Sequence, residues 1–180
     1  MKLPKIATVW LEGCSGCHMS FLDMDENLLN IFSRVELTDS PITDFKDFNF
    51  QDVALGIIEG GIANEEQVEI AKKLREKSKI LMVWGDCAVF GGINTLRNAF
   101  STQEILQRGY IETESTVNGA IPVHESLPVL LEKALPVNRF VTVDVYVPGC
   151  PPSPDAIAYC LNEILQGRIP VLPTDMMHFD

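Results

Sequence analysis

Cys14 and Cys17 stand in the hexapeptide GCSGCH, Gly13 to His18. A C-x-x-C followed by His can attach a c-type haem, work as a redox dithiol, form half of a zinc site, or supply two thiolates to an iron–sulfur cluster. The sequence holds five cysteines, and the other three bear on the choice. Cys87 lies in WGDC with two glycines shortly after it, and Cys150 lies in PGCPP. Cys160 keeps helical register with Ile157, Leu161 and Ile164, which reads as a small buried hydrophobe.

The elements that carry these residues narrow the chemistry. KIATVWLE, Lys5 to Glu12, is apolar and β-branched and reads as a buried strand. One helix is expected over MSFLDMDENLLNIFSR, where Phe21, Leu22, Leu28, Leu29 and Phe32 recur at near-helical spacing. VELTD reads as a short strand and DVALGIIEG, Asp52 to Gly60, as a stronger one. Asn64 then caps a helix over EEQVEIAKKLREKS. KILMVWGDC, Lys79 to Cys87, and RFVTVDVYVPGC, Arg139 to Cys150, read as further strands. PSPDAIAYCLNEILQG follows as a helix, with Ser153 as N-cap and Pro154 at its first position. Residues 90–138 yield only a helix near Ile93 to Phe100 and a long connection with Gly119, Pro122 and Pro128. From about residue 168 the tail, with Pro170 and Pro173, is expected to run extended.

Strands alternating with helices predict an α/β fold. The expected form is a single doubly wound, flavodoxin-like domain over residues 1–180, a parallel sheet with helices on both faces. In such a sheet the C-terminal ends of the strands share one edge, where ligands bind. Cys14 and Cys17 follow the first strand, Cys87 and Cys150 two later ones, so four thiols are expected to converge there. Two choices stay open, an all-cysteine zinc site and a [4Fe–4S] cluster. Structural zinc usually comes with paired C-x-x-C knuckles, and here there is one pair. Gly- and Pro-flanked single cysteines suit a bulkier object and fit the cluster better. A dithiol role for Cys14 and Cys17 alone leaves Cys87 and Cys150 unexplained. FMN would need hydroxyls and free amides after the first strand, where Ser15 and Ser20 are too few.

Composition sets outer limits. A hydrophobic content of 46% over 180 residues supports a packed core. A net charge of −11 offers no basic patch for nucleic acid. The apolar runs are strand-sized, short of the roughly 20 residues of a membrane span, so no membrane insertion is expected. MKLPKIATVWLEGC has neither an apolar signal core nor twin arginines, so the expected location is cytoplasmic. That location disfavours both covalent haem and structural disulfides.

The segments VWLEGCSGCHMSFLDMDE, IEGGIANEE, WGDCAVFGG and VPGCPPSPDAI, in this order, resemble the small subunit of cytoplasmic [NiFe] hydrogenases, most closely the NAD-reducing, bidirectional kind. They span residues 9 to about 160. The resemblance implies a flavodoxin-like subunit with one [4Fe–4S] cluster on Cys14, Cys17, Cys87 and Cys150 and no catalytic metal site of its own. It implies a large subunit bearing the Ni–Fe centre, and diaphorase subunits bearing FMN and further Fe–S clusters. The implied role is electron relay in H2 + NAD+ ⇌ H+ + NADH. Exported hydrogenases carry three clusters in longer small subunits; five cysteines suffice for one. The alternatives are another cytoplasmic [NiFe] hydrogenase, or the related subunit of complex I-like NADH:quinone oxidoreductases. The latter shares PGCPP but resembles a version with adjacent cysteines in the first loop, where Ser15 and Gly16 stand here.

Three residues near the cysteines are candidates for proton coupling or for support of the site: Glu12, His18 and Glu59. The competing reading is a loop histidine at an interface and carboxylates bonded to loop amides. Asp23, Asp25 and Glu26 read as a solvated or partner-facing edge, and His124 and His178 as surface or interface residues. Trp10 and Trp84 end strands and are expected in the core.

Overall fold

The computed structural model describes residues 3–44, 49–177 and 179. His178 lies outside the described residues. The elements run β1 (Lys5–Trp10), α1 (Gly16–Leu22), α2 (Glu26–Phe32), β2 (Glu36–Asp39), β3 (Val53–Glu59), β4 (Ile62–Asn64), α3 (Glu65–Lys77), β5 (Ser78–Trp84), α4 (Gly85–Phe90), a 3-10 helix (Gly92–Ala99), α5 (Thr102–Tyr110), β6 (Leu130–Leu135), β7 (Val145–Val147) and α6 (Pro154–Leu165). Five strands pair in parallel in the order β2-β1-β3-β5-β7, the flavodoxin-like arrangement that the alternation of elements predicted.

Both faces of the sheet are covered. On one, Ile6, Leu55, Ile57, Met82, Trp84 and Val147 pack against Phe21 of α1, Ile31 of α2, and Ile157, Cys160 and Leu161 of α6. On the other, Ala7, Val9, Val53, Ile58, Leu81 and Val83 meet Ala71 and Leu74 of α3 and Ala88 and Val89 of α4. The period of two along each strand sorts neighbours to opposite faces. Each fully buried Ile or Leu contributes roughly 1.5–3 kcal/mol. α3 starts in a capping box: the Asn64 carboxamide accepts from Gln67 N–H at 2.9 Å, and Gln67 reaches back to the Asn64 amide at 3.2 Å.

Several elements depart from the sequence expectation. The expected helix after the first cysteines is two, because the chain turns at Asp25, whose φ of 49° is left-handed. The strand expected over Arg139–Cys150 shrinks to Val145–Val147, since among the described residues β5 is its sole neighbour and they pair only from Met82 to Trp84. The stretch 90–138 holds α5 and β6, and β6 pairs antiparallel with the short strand β4 at Ile62–Asn64; the sequence predicts none of these three elements. Asp23, Asp25 and Glu26 are exposed, as is His124. The tail from 168 runs without regular structure to a 3-10 turn at Thr174–Met176, and Leu172 is buried against the core.

Candidate functional site

Strand register explains why distant cysteines meet. Trp10 pairs with Glu59, Glu59 with Trp84, and Trp84 with Val147. The last residues of four neighbouring strands therefore form one row across the sheet. The chain leaving three of them carries Cys14 and Cys17, Cys87, and Cys150. All four thiols line one small cavity of about 60 Å³, together with Glu59, Asp86, Gly60 and Gly149. Cys17 lies in the first turn of α1 and is buried, while Cys14 and Cys150 are exposed. Cys87 is carried by α4 rather than by the end of a strand, because β5 stops at Trp84. Cys160 stays away, fully buried mid-helix in α6 as expected.

The cavity walls are tied by polar contacts. Gly149 N–H donates to the Asp86 carboxylate at 2.7 Å, and Asp86 N–H returns a bond to the Gly149 carbonyl at 3.0 Å. Ser20 of α1 donates to the Pro152 carbonyl at 2.5 Å. The loop bearing Cys150 is thus held from α4 and from α1. Gly85, at φ +81°, leaves room that no other residue could: a Cβ there would sit 2.3 Å from Cys17 Sγ.

The donor set is one that could hold a metal centre. Four thiols around a glycine-lined hollow match the four-cysteine holding of a [4Fe–4S] cluster. Burial pushes the Cys17 thiol far above its ordinary value, and negative charge on Glu59 and on the other three cysteines adds to it. Burial likewise raises the Cys87 thiol, opposed by a hydrogen bond from the Ile93 backbone. Cys17 and Cys87 are therefore held as neutral thiols by the protein alone, and a metal centre bound there would deprotonate them.

The three accompanying candidates separate. Glu59 is buried and lines the cavity. His18 is no loop residue: it lies in α1, fully buried, its backbone N–H donating to Glu59 Oε2 at 2.7 Å and its ring Nδ1 bonded to the same oxygen. Glu12 turns away, its carboxylate accepting from Gln67 Nε2 at 3.2 Å. Trp84 is fully buried, but Trp10, expected in the core, is 41% exposed, its ring edge-on to His18 at 5.6 Å. Asp86 and Thr8 escaped the sequence reading. For Asp86 the available signal was an acidic residue next to a cysteine in GDC; for Thr8 it was a hydroxyl where strand alternation calls for an apolar side chain.

Residues 14–164 match the family model described as NADH ubiquinone oxidoreductase, 20 Kd subunit. The delta subunit of the NAD-reducing hydrogenase HoxS of Cupriavidus necator is 39% identical over 179 residues, 98% of this chain and 85% of that one. The chain belongs to this family, as a hydrogenase subunit of the NAD-reducing kind. A chain of the crystal structure of an NAD+-reducing [NiFe]-hydrogenase in the H2-reduced state superposes with a TM-score of 0.95 at 36% identity, covering 99% of this chain and all of that one. The F420-non-reducing hydrogenase of Methanothermobacter marburgensis has a subunit 40% identical over 173 residues, and 94% of this chain spans 56% of its length. A hydrogenase small subunit of this kind works beside a large subunit. Among its described residues no helix is long and apolar enough to cross a membrane.

Proposed function

We propose that this hydrogenase small subunit, as a single flavodoxin-like domain over residues 1–180, is the electron-relay subunit of a cytoplasmic complex catalysing H2 + NAD+ ⇌ H+ + NADH. Its partners in this reading are the large subunit bearing the Ni–Fe centre and a diaphorase module with FMN and further Fe–S clusters. One [4Fe–4S] cluster held by Cys14, Cys17, Cys87 and Cys150 would supply one-electron transfer between them. The observation that carries the reading is the meeting of four thiols from three strand ends in one cavity. The chain's own residues shape that cavity. Asp86 and Ser20 hold the Cys150 loop, Gly85 makes room beside Cys17, and Glu59 places a carboxylate in the wall.

The test is Cys14→Ser in the assembled complex. H2-driven NAD+ reduction should disappear, while NADH oxidation by an artificial acceptor, which requires only the diaphorase, should persist. H2-driven reduction at the normal rate without the cluster would remove the relay role from this chain.

A further inference from the structure

A row of buried polar groups runs away from the cysteine cavity into the core. Glu59, in the cavity wall, bonds His18 Nδ1; His18 Nε2 meets Thr8 Oγ1 at 2.9 Å; Thr8 Oγ1 meets Ser40 Oγ at 2.7 Å. All four are nearly or fully inaccessible to solvent. Thr8 occupies a position in β1 where its same-face neighbour two residues back, Ile6, is core. A hydroxyl buried there costs stability unless both its hydrogen-bonding roles are met.

Donor and acceptor accounting gives the row a direction. Ser40 Oγ already accepts from Ile42 N–H at 3.4 Å, and its hydroxyl proton has Thr8 Oγ1 as acceptor. Thr8 then donates its own proton to His18 Nε2. The ring proton lies on Nδ1 and points at the Glu59 carboxylate. In this arrangement every hydroxyl and both ring nitrogens are satisfied. The reverse direction leaves the Ser40 proton with no acceptor among these groups.

We propose that Thr8, backed by Ser40, is a positioning residue for the cysteine site: through His18 it holds the Glu59 carboxylate partly neutralised in the cavity wall, and thereby sets the reduction potential of the cluster. The proposal rests on the cluster reading given above. Without the Thr8 hydroxyl the imidazole loses its orientation, and its Nδ1–H no longer faces Glu59. The carboxylate charge beside the cavity is then less compensated. Uncompensated negative charge disfavours adding an electron, so the potential falls.

The experiment is an EPR-monitored redox titration of the assembled complex. The signal of this chain's cluster is assigned by its loss in Cys14→Ser. Thr8→Val is close to isosteric and should keep wild-type iron and sulfide content while moving the midpoint potential more negative. Thr8→Ser restores a hydroxyl and should return the potential towards wild type. Ser40→Ala should shift it in the same direction as Thr8→Val, by less. A fully loaded Thr8→Val complex that titrates at the wild-type potential overturns the proposal. If Thr8→Val does not assemble, Ser40→Ala decides: a negative shift supports the positioning role, and an unchanged potential overturns it. Failure of the cluster reading itself shows separately, as a wild-type chain without iron and sulfide, and takes this proposal with it.

Discussion

Asp86 and Gly149 exchange two hydrogen bonds, side chain to amide and amide to carbonyl, across 63 positions of sequence. This exchange joins the helix bearing Cys87 to the loop bearing Cys150. The spacing of two thiols therefore depends on one buried carboxylate.

Asp86→Ala should leave the Gly149 N–H without its partner in a buried setting. A loss of about 1–3 kcal/mol is expected, together with reduced iron content after reconstitution. Asp86→Asn keeps an acceptor oxygen and should load better than Asp86→Ala. Thermal melts and iron assays on the two variants check the order; equal loading in both would mean that the carboxylate does not hold the loop.

Cys160 and Cys87 should respond oppositely to removal. Burial pushes the Cys160 thiol up to about 12, with Glu163 adding to the effect, so it stays a neutral thiol in the core. Cys160→Ala should retain full iron and sulfide and cost roughly 1–2 kcal/mol for the small cavity. Cys87→Ser should lose or convert the cluster. The same iron, sulfide and EPR measurements serve both, and loss of iron in Cys160→Ala would contradict the assignment of ligands.

The sheet, its order and the meeting of the cysteines were legible because they rest on local signals: apolar runs, the Asn64 and Ser153 caps, and Pro154 at a first helical turn. Other features leave no local trace. The apolar spacing from Phe21 to Phe32 continues across the break at Asp25, where tertiary packing sets the turn. LLEKAL falls in the stretch read as a long connection, yet Leu130–Leu135 is a strand because β4 offers it backbone partners. VTVDVYV alternates as a strand does, but only its last three residues find a neighbour to pair with. His18 looked like part of a loop. Its burial depends on Glu59, 41 positions on, and on Thr8, and nothing in GCSGCH announces either.

Asp144 should give the fold an acid-sensitive tie at the start of β7. Burial acts upward on its carboxyl, but the Leu81 N–H bond at 2.7 Å and the Arg75 guanidinium at 2.5 Å outweigh it and hold the group below the usual carboxylate range. A carboxyl with a lowered folded value stabilises above its unfolded value, and that contribution is lost as pH falls through the folded one. Asp144→Asn should therefore destabilise near neutral pH by up to about 1 kcal/mol, the scale of a solvent-screened pair. Below the carboxylate range the variant and the wild type should unfold at the same denaturant concentration. Urea midpoints measured across that range test the convergence; a constant gap would assign the effect to something other than charge.

Gly85→Ala should damage the cysteine site more than the fold. Two costs are involved, and a second glycine separates them. At Gly85, φ is +81°, a conformation costing roughly 1–2 kcal/mol for a residue with a Cβ. The added methyl would also lie 2.3 Å from Cys17 Sγ, and Cys17 has little freedom because α1 packs it among Phe21 and Trp84 in the core. The sulfur must turn away from the cavity it lines. Gly167, just past α6, has a similar φ of +78° but nothing within 4 Å of where its Cβ would stand. Gly167→Ala therefore bears the backbone strain alone and should lose about 1–2 kcal/mol with normal iron content. Gly85→Ala should show at least that loss and, in addition, bind much less iron. Comparable melting points with unequal iron would locate the damage at Cys17. Full iron in Gly85→Ala would mean that the Cys17 thiol is not needed where the fold holds it.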